Sequence, residues 1–297
     1  MTAAVLPMEQ ALTAAISILF DGVAYAMLLF IISVGLSITM GLMGFANLAH
    51  GAFAMLGGYV LVSLMLNAGV PFLAALLLTA VFVAIVSIPF ERFLYRRLYK
   101  AGELDQVLLS IGLVFMATAS ITFVYGPSTV SITVPEFLSG QIDLGFGTFP
   151  TYRTFTIVVG VALMVALWYG FERTIIGAKI RAAVDNRRMA QSIGIDVDRL
   201  FVLAFALGSG LAALGGGLAI EIIGMSPTFA LTYLVFFLIV VAVGGLGSIR
   251  GAFVSALILG IVDTAGKYLW PDGGAFFIYA LTIAILLVKP EGLFGKA

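Results

Sequence analysis

The chain of 297 residues contains no cysteine. Disulfide scaffolds, thiolate metal sites and cysteine nucleophiles are excluded together, although this leaves the redox compartment undecided. Its single histidine, His50, excludes paired-histidine zinc sites and the HExxH arrangement. Charge is also scarce: 10% of residues are charged, against about 25% in soluble domains. With 62% hydrophobic residues and a mean hydropathy of +1.18, a water-soluble fold of this length would lack the polar shell it needs. The solvent is lipid. Fifteen Lys and Arg balance fifteen Asp and Glu, so no net basic field draws in nucleic acid. No Lys or Arg precedes Arg92, and the missing basic stretch predicts that the first apolar run is a retained span, not a cleaved leader.

A helix rises 1.5 Å per residue, so about 20 apolar residues cross a hydrocarbon core of roughly 30 Å. Nine runs qualify as spans: 18–40, 51–66, 71–91, 106–125, 153–171, 199–222, 231–247, 252–269 and 274–289. They are continuous and do not alternate, which predicts helices and not barrel strands. The expected fold is an all-α polytopic membrane bundle of eight or nine helices, in one transmembrane domain over 1–297. Lys and Arg resist translocation. With the N-terminus outside and the C-terminus in the cytoplasm, thirteen of the fifteen Lys and Arg lie inside, Lys100 and Lys296 among them, and only Arg153 and Lys267 lie outside.

Two long connections stand out. The outer one, 126–152, holds Pro127, Pro135 and Pro150 among Ser, Thr and Gly and predicts an extended, hairpin-like cap. The cytoplasmic one, 172–198, carries Ile176, Ile180, Ala183, Ala190 and Ile193 mostly three and four apart. That spacing is the stripe of a short amphipathic helix, with Gly194 as a stop and Asp196 or Asp198 as acceptor for the N–H groups opening the next span. Such a helix either rests on anionic lipid or inserts into a cytoplasmic partner. The acids and amides mixed with its bases, Asp185 and Asn186 among them, favour the partner.

Between Gly41 and Gly58 the chain reads GLMGFANLAHGAFAMLGG, a loop or a broken helix at membrane depth. Asn47 and His50, three apart, either line a permeation path or cap the break and bond a neighbouring helix. Asp263 is the deepest acid in a span, with Lys267 at i+4 as a local partner, and is the third pathway candidate. Asp21 and Glu221 fall nearer the outer interface. Gly208, Gly210 and Gly215 to Gly217 predict close helix packing, and Gly44 with Gly51-Ala52-Phe53 is echoed by Gly247 with Gly251-Ala252-Phe253. No GxxxxGK[ST] is present; the nearest approach, Gly260 to Gly266-Lys267-Tyr268, has the wrong spacing and no correctly placed hydroxyl. This chain therefore has no nucleotide or metal site of its own by motif. Nor does it offer paired acids or a nucleophile beside a base.

The runs GLMGFANLAHGAFAMLGGYV, RAAVDNRRMAQSIGIDVDRLFVLAFALGSGLAALGGGL, VVAVGGLGSIRGAFVSALILG and LLVKPEGLFG resemble, along essentially the whole chain, the LivH-type permeases of branched-chain amino acid ABC importers. That resemblance implies an inner-membrane permease working with a second, homologous permease, two cytoplasmic ATPases that bind ATP and magnesium, and an extracytoplasmic solute-binding protein. The cargo it implies is a small amino acid, or urea or a short amide as in relatives of the same pattern. An ion-coupled secondary transporter is the rival outside the family. The middle run corresponds to the ATPase-coupling region, so the resemblance makes Arg181, Ala182, Ala183, Asp185, Asn186, Ala190, Ile193 and Gly194 the contact set. Arg181 stands where the broader importer signature has an acid.

Overall fold

The computed structural model describes residues 8–44, 47–99, 101–143 and 147–295, with side chains from Leu12 onward. Lys100 and Lys296 of the inner-side set fall outside the described residues. The chain is helical: α1 (Met8–Met43), α2 (His50–Leu66), α3 (Phe72–Phe90), a π turn (Glu91–Tyr95) running into α4 (Arg96–Leu98), α5 (Glu103–Tyr125), α6 (Thr151–Arg173), α7 (Ile175–Asp185), α8 (Arg187–Ser192), α9 (Val197–Ile223), α10 (Phe229–Gly244), α11 (Ile249–Leu269) and α12 (Phe276–Val288). Among the described residues six helices are long and apolar enough to cross a membrane, and α2, α10 and α12 are shorter apolar helices. All nine expected runs are helical.

Where ends differ from the pattern, a local cause is visible. The third run was expected to stop at 91, yet the apolar helix continues to Leu98. Pro89, inside α3, removes a backbone donor, and the helix absorbs this by widening into the π turn and resuming. The chain between 41 and 58 resolves into the end of α1, a short link and α2; Gly44 turns the chain at φ +74°. Gly102 precedes α5, whose first turn carries Glu103 and Asp105, acids that oppose the positive end of the helix dipole.

Helix α9 lies at the centre against α1, α2 and α3, and α1 also packs along α11. Small residues make this approach possible. A Cβ on Gly216 would sit 1.9 Å from the Ala54 carbonyl oxygen, and one on Gly35 would sit 2.4 Å from that of Gly208. The 126–152 connection is a small cap. Strands β1 (Gln141–Asp143) and β2 (Thr148–Pro150) pair antiparallel with Ile142 opposite Phe149, and Val130 pairs with Met225. Phe149 is buried against Phe20 of α1 at a ring separation of 4.2 Å.

The ends of the bundle differ in charge. At one end Arg96 and Arg187 both pair with Asp198, Arg250 pairs with Glu172, and Leu293 of the C-terminal tail bonds the Val243 carbonyl. At the other, under the cap, lie Arg153 with Asp21 and Lys267 with Asp263.

Candidate functional site: a polar arm, a polar junction and a charged cavity

The arm between α6 and α9 is built from caps. Thr174 accepts from the Gly177 N–H at 3.2 Å and opens α7. Asn186, in extended conformation, closes α7 and accepts from Met189 N–H at 3.0 Å, opening α8. The expected single helix is thus two, because the Asn186 side chain competes for the backbone donors that would carry one helix on. Gly194 turns the chain at φ +86°, and Asp196, not Asp198, caps α9 through the Arg199 N–H. Asp198 instead joins Arg96 and Arg187, whose guanidinium lies 4.7 Å from the Phe201 ring.

The stripe divides. Ile180, Ala183 and Ala190 are buried against the bundle, whereas Ile176 and Ile193 are exposed, joined by Ile175, Val184 and Met189. Of the expected contact set, Arg181, Asp185, Asn186, Ile193 and Gly194 face outward, Ala182 is half-buried, and Ala183 and Ala190 face inward. Arg181 donates to the Phe171 carbonyl. Of the outward apolar residues, Ile176 and Ile193 belong to the expected stripe, whereas Ile175, Val184 and Met189 were outside it. A cavity of about 660 Å³ beside the arm is walled by Arg96, Arg97, Arg187 and Arg188 with Tyr99 and Asp198.

Asn47 and His50 are both buried. Asn47 lies in the link, outside helix, and His50 is the first residue of α2, so the two do not share a helical face. Asn47 Oδ1 accepts from the Tyr95 hydroxyl at 2.7 Å and from the Ala49 N–H at 3.1 Å. His50 Nε2 lies 2.9 Å from the Ile32 carbonyl, which can only accept, so the proton sits on Nε2. Both side chains tie the link to neighbouring helices. Tyr95 had no signal in the sequence: the π turn aims it at Asn47. Nearby, the Tyr99 hydroxyl donates to Glu91 Oε1 at 2.7 Å. Burial first, and then this bond, push its acidity constant above the usual tyrosine value, so Tyr99 remains a donor.

Asp263 is buried, accepts from Lys267 Nζ at 2.6 Å through Oδ2, and has no partner at Oδ1 among the described residues. It borders a cavity of about 410 Å³ shared with Asp21, Arg153, Tyr25 and Tyr233. Asn47 and His50 do not line it. The structure therefore brings Asp263 together with Asp21, noted separately in the sequence, and keeps it apart from the other two candidates.

Long apolar helices enclosing a few bonded polar groups define a multi-pass helical membrane protein, with a folded polar arm at one end and a charged cavity at the other. Residues 18–286 match the family described as branched-chain amino acid transport system, permease component, and the chain belongs to that family. Similar proteins along nearly the full length include the high-affinity branched-chain amino acid transport system permease protein LivH of Escherichia coli K12, 28% identical over 94% of each chain. The probable LivH of Methanocaldococcus jannaschii is 26% identical over 94% of this chain and 92% of its own. The permease protein BraD of Pseudomonas aeruginosa is 27% identical over 90% and 91%. The chain is thus the permease component of a branched-chain amino acid ABC transport system and is not itself catalytic. As an importer permease it implies ATPase and binding-protein partners.

Proposed function

We propose that this chain forms part of the translocation pathway for branched-chain or other small amino acids in a bacterial inner membrane, paired with a second, homologous permease. The N-terminus and the capped end face outward, where a solute-binding protein delivers cargo. The C-terminus and the α7–α8 arm face the cytoplasm, where two ATPases binding ATP and magnesium grip the arm through Arg181, Asp185, Asn186, Ile193 and Gly194, with Ala182, Ala183 and Ala190 setting its shape. The observation that carries this reading is the arm itself: capped, pinned to the bundle through Asp198, and presenting exposed isoleucines, Val184 and Met189. Exposed apolar side chains gathered on a folded polar arm mark an interaction surface.

Asn47 and His50 belong to the pathway by holding the link between α1 and α2 against α1 and the π turn. Asp263 belongs to it by facing the outer cavity. The whole transporter, rebuilt in liposomes with its binding protein and ATPases, tests the reading by ATP-driven uptake of leucine against urea. Arg181→Glu and Gly194→Trp leave the chain in the membrane and let ATP hydrolysis continue without leucine uptake. Unchanged uptake in both variants removes the docking role, uptake of urea alone changes the cargo, and ion-gradient uptake without ATPases overturns the class.

A further inference from the structure

The cavity at the end of the bundle where Arg153 pairs with Asp21 is bounded by five helices, α1, α6, α9, α10 and α11, and four charged side chains line it: Asp21, Arg153, Asp263 and Lys267. Two acids and two bases leave it neutral overall. A neutral cavity that presents fixed charge of both signs complements a molecule carrying both charges.

Its chemistry is asymmetric in depth. The Arg153–Asp21 pair is partly exposed at the rim, with side-chain exposures of 33% and 39%. Asp263 lies about 9 Å inside the end of α11 at the helical rise of 1.5 Å per residue. Its carboxylate is 1% exposed while Lys267 is 50% exposed, and Oδ1 has no donor among the described residues. A buried carboxylate oxygen left without a donor is costly unless a donor arrives from elsewhere. The walls around it suit an ammonium group with an apolar side chain. Tyr25 and Tyr233 border the cavity with Ala24, Ile222 and Ile223, and Lys267 Nζ already lies 5.8 Å from the Tyr25 ring and 5.7 Å from that of Phe236, the geometry of cation–π attraction. The described residues hold no cluster of three or more His, Cys, Asp or Glu that could hold a metal ion. At about 410 Å³ the cavity has the size of a small-molecule site.

The geometry points to a binding site for a zwitterionic α-amino acid with an apolar side chain: its ammonium donates to Asp263 Oδ1 between Tyr25 and Tyr233, and its carboxylate is held by Lys267 and Arg153. This inference rests on the permease reading for its place at the outward end, and deepens it by assigning a site within this chain.

The absence of native cysteine makes one introduced thiol a unique reporter. Thr264 lines the cavity, so Thr264→Cys in the full chain in nanodiscs is alkylated with a maleimide, and leucine, isoamylamine and 4-methylpentanoate are added in turn. Leucine at ten times its dissociation constant slows alkylation about tenfold by occupancy, while the amine without a carboxylate and the acid without an amine protect far less. Asp263→Asn in the same background removes the protection, and Arg153→Gln, at the partly exposed rim, weakens it and serves where Asp263→Asn does not fold. An unchanged rate with leucine overturns the site, as does equal protection in both variants. Protection by isoamylamine or sodium equal to that by leucine overturns the zwitterion assignment. Uptake of leucine by the assembled transporter without any protection of Thr264→Cys defeats this inference alone. Protection without ATP-driven uptake defeats the permease reading alone.

Discussion

A Cβ is the smallest change a residue can carry, and at the centre of this bundle it decides whether two helices meet. Gly216 of α9 has no room for one against the Ala54 carbonyl, whereas Gly112 on α5 has nothing within 4 Å. Gly216→Val should destabilise the chain by about 3 kcal/mol, the overpacking cost of a close contact with no flexible neighbour to yield. Gly112→Ala should stabilise by about 0.5–1 kcal/mol by removing backbone freedom from the unfolded state. Thermal unfolding in detergent followed by Trp168 and Trp270 fluorescence measures both, and a destabilised Gly112→Ala would show that α5 carries a hidden contact. The glycine runs of α9 were legible as packing sites, because only small residues let backbones approach in lipid. Their partners were not: nothing in the composition matches Gly216 to Ala54 rather than to any other small residue. Asp263 shows the same limit, since its i+4 neighbour Lys267 follows from helix geometry while Asp21 and Arg153 reach its cavity through packing alone.

Caps and breaks govern the elements. The arm is two helices because Asn186 holds an extended backbone and bonds Met189 N–H. Asn186→Ala should cost about 1 kcal/mol through the lost cap and allow α7 to run on into α8, turning Met189 and Ile193 to a new face. Reconstituted transport should then fall with ATP hydrolysis retained, and unchanged coupling would show that the break serves only the fold. The π turn works likewise on α3. Pro89 was visible in the sequence, but whether a proline ends a helix or is absorbed into a wider turn depends on neighbours that satisfy the freed groups. Here the helix continues through the π turn, and the bond from Tyr95 to Asn47 ties the link between α1 and α2 to it.

At the scale of the molecule, charge is segregated along the bundle axis. The basic residues of 92–99, the arm and the C-terminal tail share one end, and the cap, Arg153 and Lys267 share the other. If lipid and potential orient the chain by its cations, Ile193→Cys should react with impermeant maleimide only from the cytoplasmic side and Tyr268→Cys only from outside in intact cells. Reaction of Ile193→Cys from outside would invert the proposed orientation and take the coupling role with it.

By itself the sequence determined that the chain is a helical bundle in lipid, where most of its helices lie, and which loop is the polar arm; α1 starts at Met8, ten residues before the expected span. In hydrocarbon a helix is the segment that satisfies its own backbone, so the length of an apolar run is nearly sufficient evidence for it. The tertiary structure alone decided which polar groups meet: Asn47 with Tyr95, His50 with Ile32, Asp263 beside the Arg153–Asp21 pair. Helices that are apolar all round carry no stripe from which their rotation can be read. Their facing is set by glycine contacts and a few hydrogen bonds between residues far apart in the chain.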